Sequence, residues 1–111
     1  MPKIAPFFLS TDALFPGDYF TLQCSIIHGD LPLSIFWKFN GMLIDPNPSE
    51  NNDVIISNMG SRSSVLTIDS VRGHHAGNYT CFGKNGAGTS NHSVFLIVNG
   101  LFTLLILFLF S

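Results

Sequence analysis

The stretch Tyr79-Thr80-Cys81 decides the fold of this chain when it is read together with Cys24 and Trp37. The chain contains two cysteines and one tryptophan, and the tryptophan lies between the cysteines. A tyrosine two residues before the second cysteine marks the corner where a strand begins, and its buried hydroxyl needs a backbone acceptor near the preceding turn. These four side chains are typical of two packed β-sheets joined by a disulfide bond.

The pattern predicts an all-β fold, an immunoglobulin-like β-sandwich of the I-set type. A Cys24–Cys81 disulfide is expected to join strand B of one sheet to strand F of the other, with Trp37, Tyr79 and Leu66 as the core frame. The two antiparallel sheets are then ABED and A′GFC. Alternating apolar residues between turn signals predict strands A at 4–9, B at 19–27, C at 33–39, D at 54–59, E at 63–68 and F at 78–84. A short C′ strand follows an Asn40-Gly41 turn, and strand G turns Val94, Leu96 and Val98 inward.

Composition narrows the class of protein. The 111 residues suit one domain, carry a formal net charge of −2, and are 46% hydrophobic and 11% charged. Because the chain lacks the excess of basic residues that attracts a phosphate backbone, we expect no nucleic acid partner. The two cysteines could be free thiols of a cytosolic protein, but their position around Trp37 favours the disulfide. A disulfide indicates an oxidising, extracellular compartment.

We expect an immunoglobulin-like domain over residues 1–99 and a short hydrophobic tail over residues 100–111. Positions 101–110 contain only Leu, Phe, Ile and Thr, a run about half as long as a membrane-spanning helix needs. This tail is interpreted as a truncated membrane segment, the end of a lipid-anchor signal, or non-native read-through, and the sequence leaves all three open. The start of the chain lacks the features of a signal peptide. We therefore interpret the chain as part of a longer cell-surface membrane protein.

Several stretches outside the core frame carry a more specific signal. They are residues 2–7, the sequence Gly-Asp-Leu-Pro-Leu at 29–33, residues 66–71, 74–81 and 85–98, and the single positions Ile35, Trp37, Asn40 and Gly41. In them the chain resembles the immunoglobulin domains of arthropod Dscam (Down syndrome cell adhesion molecule) proteins, over about residues 2–99. The resemblance implies a neuronal or immune surface receptor that binds copies of itself, with domain variants setting specificity. One position departs from the superfamily motif: His75 stands where an aspartate usually pairs with an arginine. A carboxylate partner for Arg62 at that corner is therefore an open question.

Enzymatic and metal-binding functions are not predicted. Zinc needs three or four converging ligands, whereas we expect His74 and His75 on a turn and His28 and His92 on distant loops and strands. The chain contains no GxSxG nucleophile motif, and its glycines at 83, 86 and 88 lack the lysine and the helix of a phosphate-binding loop. We therefore expect no catalytic residue, no cofactor and no small-molecule substrate, but a protein partner.

Two sequons provide candidate sites for N-linked glycans, Asn78-Tyr79-Thr80 and Asn91-His92-Ser93. Both asparagines are expected to point outward, because the neighbouring Tyr79 and Val94 point inward. Asn91 is the better candidate, since Asn78 lies at the corner that Tyr79 packs.

Two outward faces are candidates for binding a partner. The face of sheet ABED includes Thr21, Gln23, Ser25, Val65 and Thr67, a polar set that suits a two-fold contact between identical copies. The other face includes Phe36, Phe82, Phe95 and Ile97, which form an apolar patch. The resemblance favours the first face, and we prefer it.

The sequence thus predicts an extracellular immunoglobulin module of a cell-adhesion or recognition receptor that binds another copy of itself. Membrane association arises through the parent protein. The alternative is a structural spacer domain of a receptor or secreted immune protein that contacts no ligand itself.

Overall fold

Two antiparallel sheets of four strands pack face to face in the computed structural model, which describes residues 1–9, 13–46 and 53–99. The strands are β1 (Lys3–Ile4), β2 (Phe20–His28), β3 (Ser34–Phe39), β4 (Met42–Leu43), β5 (Val54–Met59), β6 (Ser63–Ile68), β7 (Gly77–Asn85) and β8 (Gly88–Leu96). The strand orders are β1-β2-β6-β5 in the first sheet and β4-β3-β7-β8 in the second. They correspond to the predicted ABED and GFC arrangement, and the immunoglobulin-like sandwich is confirmed.

The alternation along β2 places its apolar side chains in the core. Phe20, Leu22, Cys24 and Ile26 are buried, whereas the polar residues between them are exposed or half-buried. The side chains of a strand point to opposite faces in turn, so this period-two pattern produces one inner and one outer face. β6 behaves in the same way, with Leu66 and Ile68 fully buried. Strands β5 and β6 have the predicted bounds.

The predicted core frame lies at the centre of the sandwich. Cys24 on β2 and Cys81 on β7 form a disulfide with a Cα–Cα distance of 6.4 Å. The Trp37 side chain is fully buried beside it, and its indole Nε1–H donates a hydrogen bond of 2.9 Å to Ser64 Oγ. The Trp37–Ser64 bond matters because an unpaired indole N–H at this depth costs about 1–3 kcal/mol. The sequence pattern predicts Trp37 in the core but gives no signal for Ser64 as its partner.

Tyr79 occupies the corner that the sequence predicts. Its hydroxyl donates to the backbone carbonyl of His75 at 2.6 Å, and its ring packs against those of Phe20 and Phe39. His75 ends a short 3-10 helix, Gly73–His75, immediately before β7. Burial raises the pKa of the Tyr79 phenol, so the hydroxyl stays a hydrogen-bond donor.

Glycine is required at two positions for different reasons. At the β3–β4 hairpin both turn residues have positive φ, 50° at Asn40 and 83° at Gly41, as a tight hairpin turn requires. On β7, a Cβ added to Gly83 would lie 2.5 Å from Ile26 Cδ1 of the opposite sheet. Gly83 therefore lets the two sheets approach each other. This packing role explains why a glycine occurs at this position without a phosphate-binding loop.

The amino-terminal part of the chain differs from the prediction. Strand A was expected over 4–9, but the ladder ends at Ile4, with one further hydrogen bond from Ala5 N to the Ser25 carbonyl. Pro6 has no N–H group to continue the ladder. Leu14 instead forms a parallel bridge to Val98 beside β8, at the place of strand A′. The first segment of the chain thus contributes to both sheets.

Two predicted segments are not among the residues that the structure describes. The tail at 100–111 lies outside the described residues, as does most of the loop predicted between Asp45 and Asp53. Within residues 1–9, 13–46 and 53–99, none of the helical segments has the length and apolar character needed to cross a bilayer.

Candidate functional site

The outward side of the first sheet, here named the first face, brings the five predicted residues together in register. They form three rows across β2, β6 and β5: Thr21, Thr67 and Ile55; Gln23, Val65 and Ser57; Ser25, Ser63 and Met59. Residues opposite each other in such rows have Cβ atoms about 4.5–5.5 Å apart. The prediction that Thr21, Gln23, Ser25, Val65 and Thr67 share one surface therefore agrees with the register.

The nine side chains of the first face carry no formal charge. Ile55 and Met59 are 41% and 55% exposed, and Ile27 at the end of β2 is 49% exposed. Hydroxyl groups link the strands, since Ser25 Oγ and Ser63 Oγ lie 2.9 Å apart. The nine positions combine apolar and uncharged polar groups, and the charged Asp53, Asp69 and Arg72 lie beside Ile55 at the edge. Such a composition resembles the centre of a protein interface, from which charged residues are depleted.

Sequence reasoning missed the contribution of β5 to this face. It placed strand D correctly but did not assign Ile55, Ser57 and Met59 to the surface. The signal was present, because alternate residues of a strand with known bounds share a face. In the structure, these three residues stand directly beside Thr67, Val65 and Ser63, in that order.

The outward side of the second sheet, here named the second face, contains the aromatic residues of the alternative prediction. Phe36 and Phe82 are stacked, with ring centroids 5.0 Å apart and planes 2° apart, and Lys38 Nζ lies 5.0 Å from the Phe82 centroid. Phe95 is 59% exposed. It does not join the stack, because the polar pair Thr80 and Ser93 lies between the Phe82 and Phe95 rows. Ile97 follows the end of β8 beyond Phe95. The predicted four-residue patch is therefore divided.

Both sequons lie on the second face and on neighbouring strands. The Thr80 hydroxyl of the first sequon and the Ser93 hydroxyl of the second are 2.6 Å apart across the β7–β8 ladder. Asn91 is exposed, whereas Asn78 is half-buried and its Nδ2 donates to Thr80 Oγ1 at 3.3 Å. Asn91 is thus the more accessible of the two asparagines, and its glycosylation stays a prediction.

Three chemically active side chains meet at the corner before β7. Asp53 Oδ2 lies 3.6 Å from His74 Nε2 and 3.7 Å from His75 Nε2. The two histidines lie on a short 3-10 turn, as predicted, but no signal in the sequence indicates the carboxylate beside them. Such a trio has the residue types of a zinc site, and tetrahedral ligand atoms are about 3.3 Å apart for bonds of about 2.0–2.1 Å.

One hydrogen bond argues against a metal site at this corner. The Arg72 backbone N–H donates to His75 Nδ1 at 2.8 Å, so the lone pair of Nδ1 is in use. A neutral imidazole that accepts at Nδ1 carries its proton on Nε2, which then has no lone pair for a metal. Burial and the neighbouring His74 charge lower the pKa of His75, although Asp53 acts in the opposite direction. We therefore interpret His75 as a buried, neutral histidine whose Nε2–H group points toward the Asp53 carboxylate.

Arg62 is not part of this corner. It precedes β6, at the end of the sandwich remote from His75, and donates to the carbonyl oxygens of Gly29 at 2.9 Å and Ile26 at 3.4 Å. Because Arg62 lies at the other end of the sandwich, it does not pair with a carboxylate at this corner. The acidic residue that faces His75 is Asp53, from the start of the β5 segment.

Comparisons with known proteins agree with this geometry. The immunoglobulin domain family matches residues 2–85. The chain is 36% identical over 98 residues to the cell adhesion molecule Dscam1 of Drosophila melanogaster, and 35% identical over 97 residues to the cell adhesion molecule DSCAM of Homo sapiens. These alignments cover 88% and 87% of this chain but only 5% and 4% of the relatives.

A solved structure extends the similarity to three dimensions. The crystal structure of the Dscam1 Ig7 domain, isoform 5, superposes with a TM-score of 0.82 at 35% identity, covering 88% of this chain and 96% of that chain. The matched relatives are immunoglobulin domains of adhesion molecules, so the prediction that this chain is not an enzyme is confirmed. The resemblance to Dscam immunoglobulin domains is confirmed as well. The chain belongs to the immunoglobulin domain family.

Proposed function

We propose that this chain is an extracellular recognition module of an adhesion receptor and that it binds a second copy of itself through the first face. The observation that carries the proposal is the set of three uncharged rows on β2, β6 and β5. The disulfide and the Dscam-like similarity support an extracellular location. The partner is then a protein, and cell-surface attachment comes from the longer molecule.

A two-fold contact requires that the same patch serve both copies. If the axis runs along the central row, Gln23, Val65 and Ser57 each face their own counterpart, and the two outer rows face each other. Identical uncharged groups can meet in this way without repulsion. A charge placed on the central row meets the same charge on the partner, so a single substitution introduces a repulsive pair.

Sedimentation of the full chain over a range of concentrations tests the proposal. We expect the parent chain to dimerise and Thr21→Lys to weaken dimerisation at least tenfold. Thr89→Lys is the matched control, because Thr89 is an exposed threonine on the second face. Phe82→Lys tests the alternative face. Loss of the dimer with Phe82→Lys but not with Thr21→Lys would show that the second face, and not the first, mediates dimerisation.

A charge-swap pair tests the position of the axis. Gln23→Lys and Gln23→Glu should each be monomeric alone, since each places like charges together. Their mixture should form heterodimers, because the lysine then meets the glutamate. If the mixture remains monomeric while the parent dimerises, the axis does not run along the central row.

The second candidate function is a spacer domain without ligand contacts. The observation in its favour is that this chain matches only 4–5% of the length of the adhesion molecules it resembles. In a molecule of that length, most domains can act only as spacers that set the distance between the domains that bind. A parent chain that remains monomeric at the highest concentration measured would favour the spacer and overturn the proposal of self-binding.

A further inference from the structure

The two sequons lie side by side on the paired strands β7 and β8, which their sequence positions alone do not show. In the β7–β8 register, Asn91 pairs with Phe82, Ser93 with Thr80, and Phe95 with Asn78. Each sequon asparagine therefore stands beside an outward-facing phenylalanine of the neighbouring strand. The two sequon hydroxyls form the row between these asparagine–phenylalanine pairs.

The two pairs differ in the space around the asparagine. Asn91 is exposed and belongs to β8, the last strand in the order of the second sheet. Asn78 is half-buried on β7, between β3 and β8, and its amide is engaged with Thr80. A sugar therefore has free space around Asn91, whereas at Asn78 it displaces existing contacts.

The Phe82 ring provides an apolar surface next to Asn91. Phe36 on β3 lies parallel to the ring on one side of β7, and β8 lies on the other side. A sugar on Asn91 thus approaches Phe82 from the β8 side, whereas Phe36 and Lys38, whose Nζ lies 5.0 Å from the Phe82 ring centroid, both belong to β3. One face of an N-acetylglucosamine ring presents C–H groups, which are attracted to the negative face of an aromatic ring.

We propose that Asn91 carries an N-linked glycan whose first N-acetylglucosamine packs on Phe82, so that carbohydrate covers the Phe36–Phe82 part of the second face. Asn91 Nδ2 forms a bond to C1 of the sugar as the C1–O bond to a lipid pyrophosphate donor breaks. The amide proton goes to a base, and the lipid pyrophosphate leaves. This inference rests on the extracellular location in the proposed function, but not on self-binding.

The site is tested first by mass. The full chain is directed into the secretory pathway of cultured animal cells by an added leader peptide, and its mass is measured before and after glycan removal. We expect Asn91→Gln to eliminate the glycan and Asn78→Gln to leave it in place. A parent chain that carries no sugar after reaching the secretory pathway, or an Asn91→Gln chain that keeps the same mass shift, overturns the inference.

The packing on Phe82 is tested by thermal unfolding. An endoglycosidase that leaves a single N-acetylglucosamine gives a homogeneous protein, which is compared with Asn91→Gln. We expect the sugar to raise Tm by about 4 °C in the parent. In Phe82→Leu, which keeps apolar volume but lacks the aromatic ring, this difference should disappear. Phe95→Leu is the matched control on the same face and should retain the difference.

The outcomes separate this inference from the proposed function. An equal Tm difference in the Phe82→Leu and parent backgrounds overturns the packing of the sugar on Phe82. A glycosylated chain that shows the expected coupling but sediments as a monomer contradicts self-binding and leaves the glycan contact established.

Discussion

The inner and outer sides of strand β2 differ in what their residues do, although the residues alternate along one short segment. Leu22 and Cys24 point inward and are 3% and 0% exposed, whereas Thr21 and Gln23 point outward and are exposed. The inner residues hold the two sheets together and define the fold. The outer residues contribute little to stability and are free to determine which surface the domain presents. Substitutions on the two sides should therefore change different quantities.

The largest expected effect is loss of the disulfide. Replacing Cys24 and Cys81 together by alanine removes a cross-link between residues separated by 57 positions. A loop of this size contributes about 4 kcal/mol to the free energy of unfolding by restricting the unfolded chain. Denaturant unfolding of both proteins measures the difference. The outer control, Thr21→Ala, should change stability by no more than about 0.5 kcal/mol. A comparable loss in that control would contradict the division between the two sides.

The next effect concerns two adjacent serines with different partners. Ser64 faces inward and accepts the Trp37 indole N–H, whereas Ser63 faces outward and contacts Ser25. We expect Ser64→Ala to lower the free energy of unfolding by about 1–3 kcal/mol, because it leaves a buried donor unpaired. Ser63→Ala is the matched control, and its loss should be smaller, since water can replace the partner at a half-buried position. Equal losses would show that the Trp37–Ser64 bond adds nothing.

A smaller effect is expected at the corner. Tyr79→Phe removes the hydroxyl that donates to the His75 carbonyl but keeps the ring against Phe20 and Phe39. The loss should be about 0.5–1.5 kcal/mol, the net value of one hydrogen bond, measured by urea unfolding. Tyr19→Phe is the control, because Tyr19 is 62% exposed. If both substitutions have the same effect, the corner hydrogen bond is not stabilising.

The inner side was more predictable from the sequence than the outer side. Period-two alternation identified Phe20, Leu22, Cys24 and Ile26 as one buried face, because burial and polarity alternate together along a strand. No comparable signal specifies which outer residues lie side by side, since this depends on the register between strands distant in sequence. The pairing of Asn91 with Phe82 became visible only in the β7–β8 register.

The corner before β7 shows a second limit of sequence reasoning. The sequence marks His75 as a departure from the superfamily motif and leaves a carboxylate partner for Arg62 open, but it gives no signal for a carboxylate beside His75 itself. Asp53 lies more than twenty positions before His75 in the sequence, and its approach depends on the path of the chain into β5. A charge partner on another segment cannot be read from local spacing.

The smallest expected effect is a dependence of stability on pH at this corner. Burial, assisted by the His74 and Arg72 charges and opposed by Asp53, lowers the pKa of His75 below its ordinary value of 6.5. The unfolded chain therefore binds a proton at a higher pH than the folded chain does. The contribution of neutral His75 is complete above pH 6.5 and is lost as the pH falls toward the lowered value, so stability decreases on acidification.

Urea unfolding between about pH 7.5 and 5.5 measures this dependence on the parent chain and on His75→Gln. The glutamine does not titrate, so the decrease should become shallower. His28→Gln is the control, because His28 lies exposed at the opposite end of the first sheet. An equal decrease in the parent and in His75→Gln would assign the acid sensitivity to other groups. A shallower decrease in His75→Gln alone would show that protonation of His75 lowers the free energy of unfolding at acidic pH. The sensitive residue would then be the one whose carbonyl accepts the Tyr79 hydroxyl.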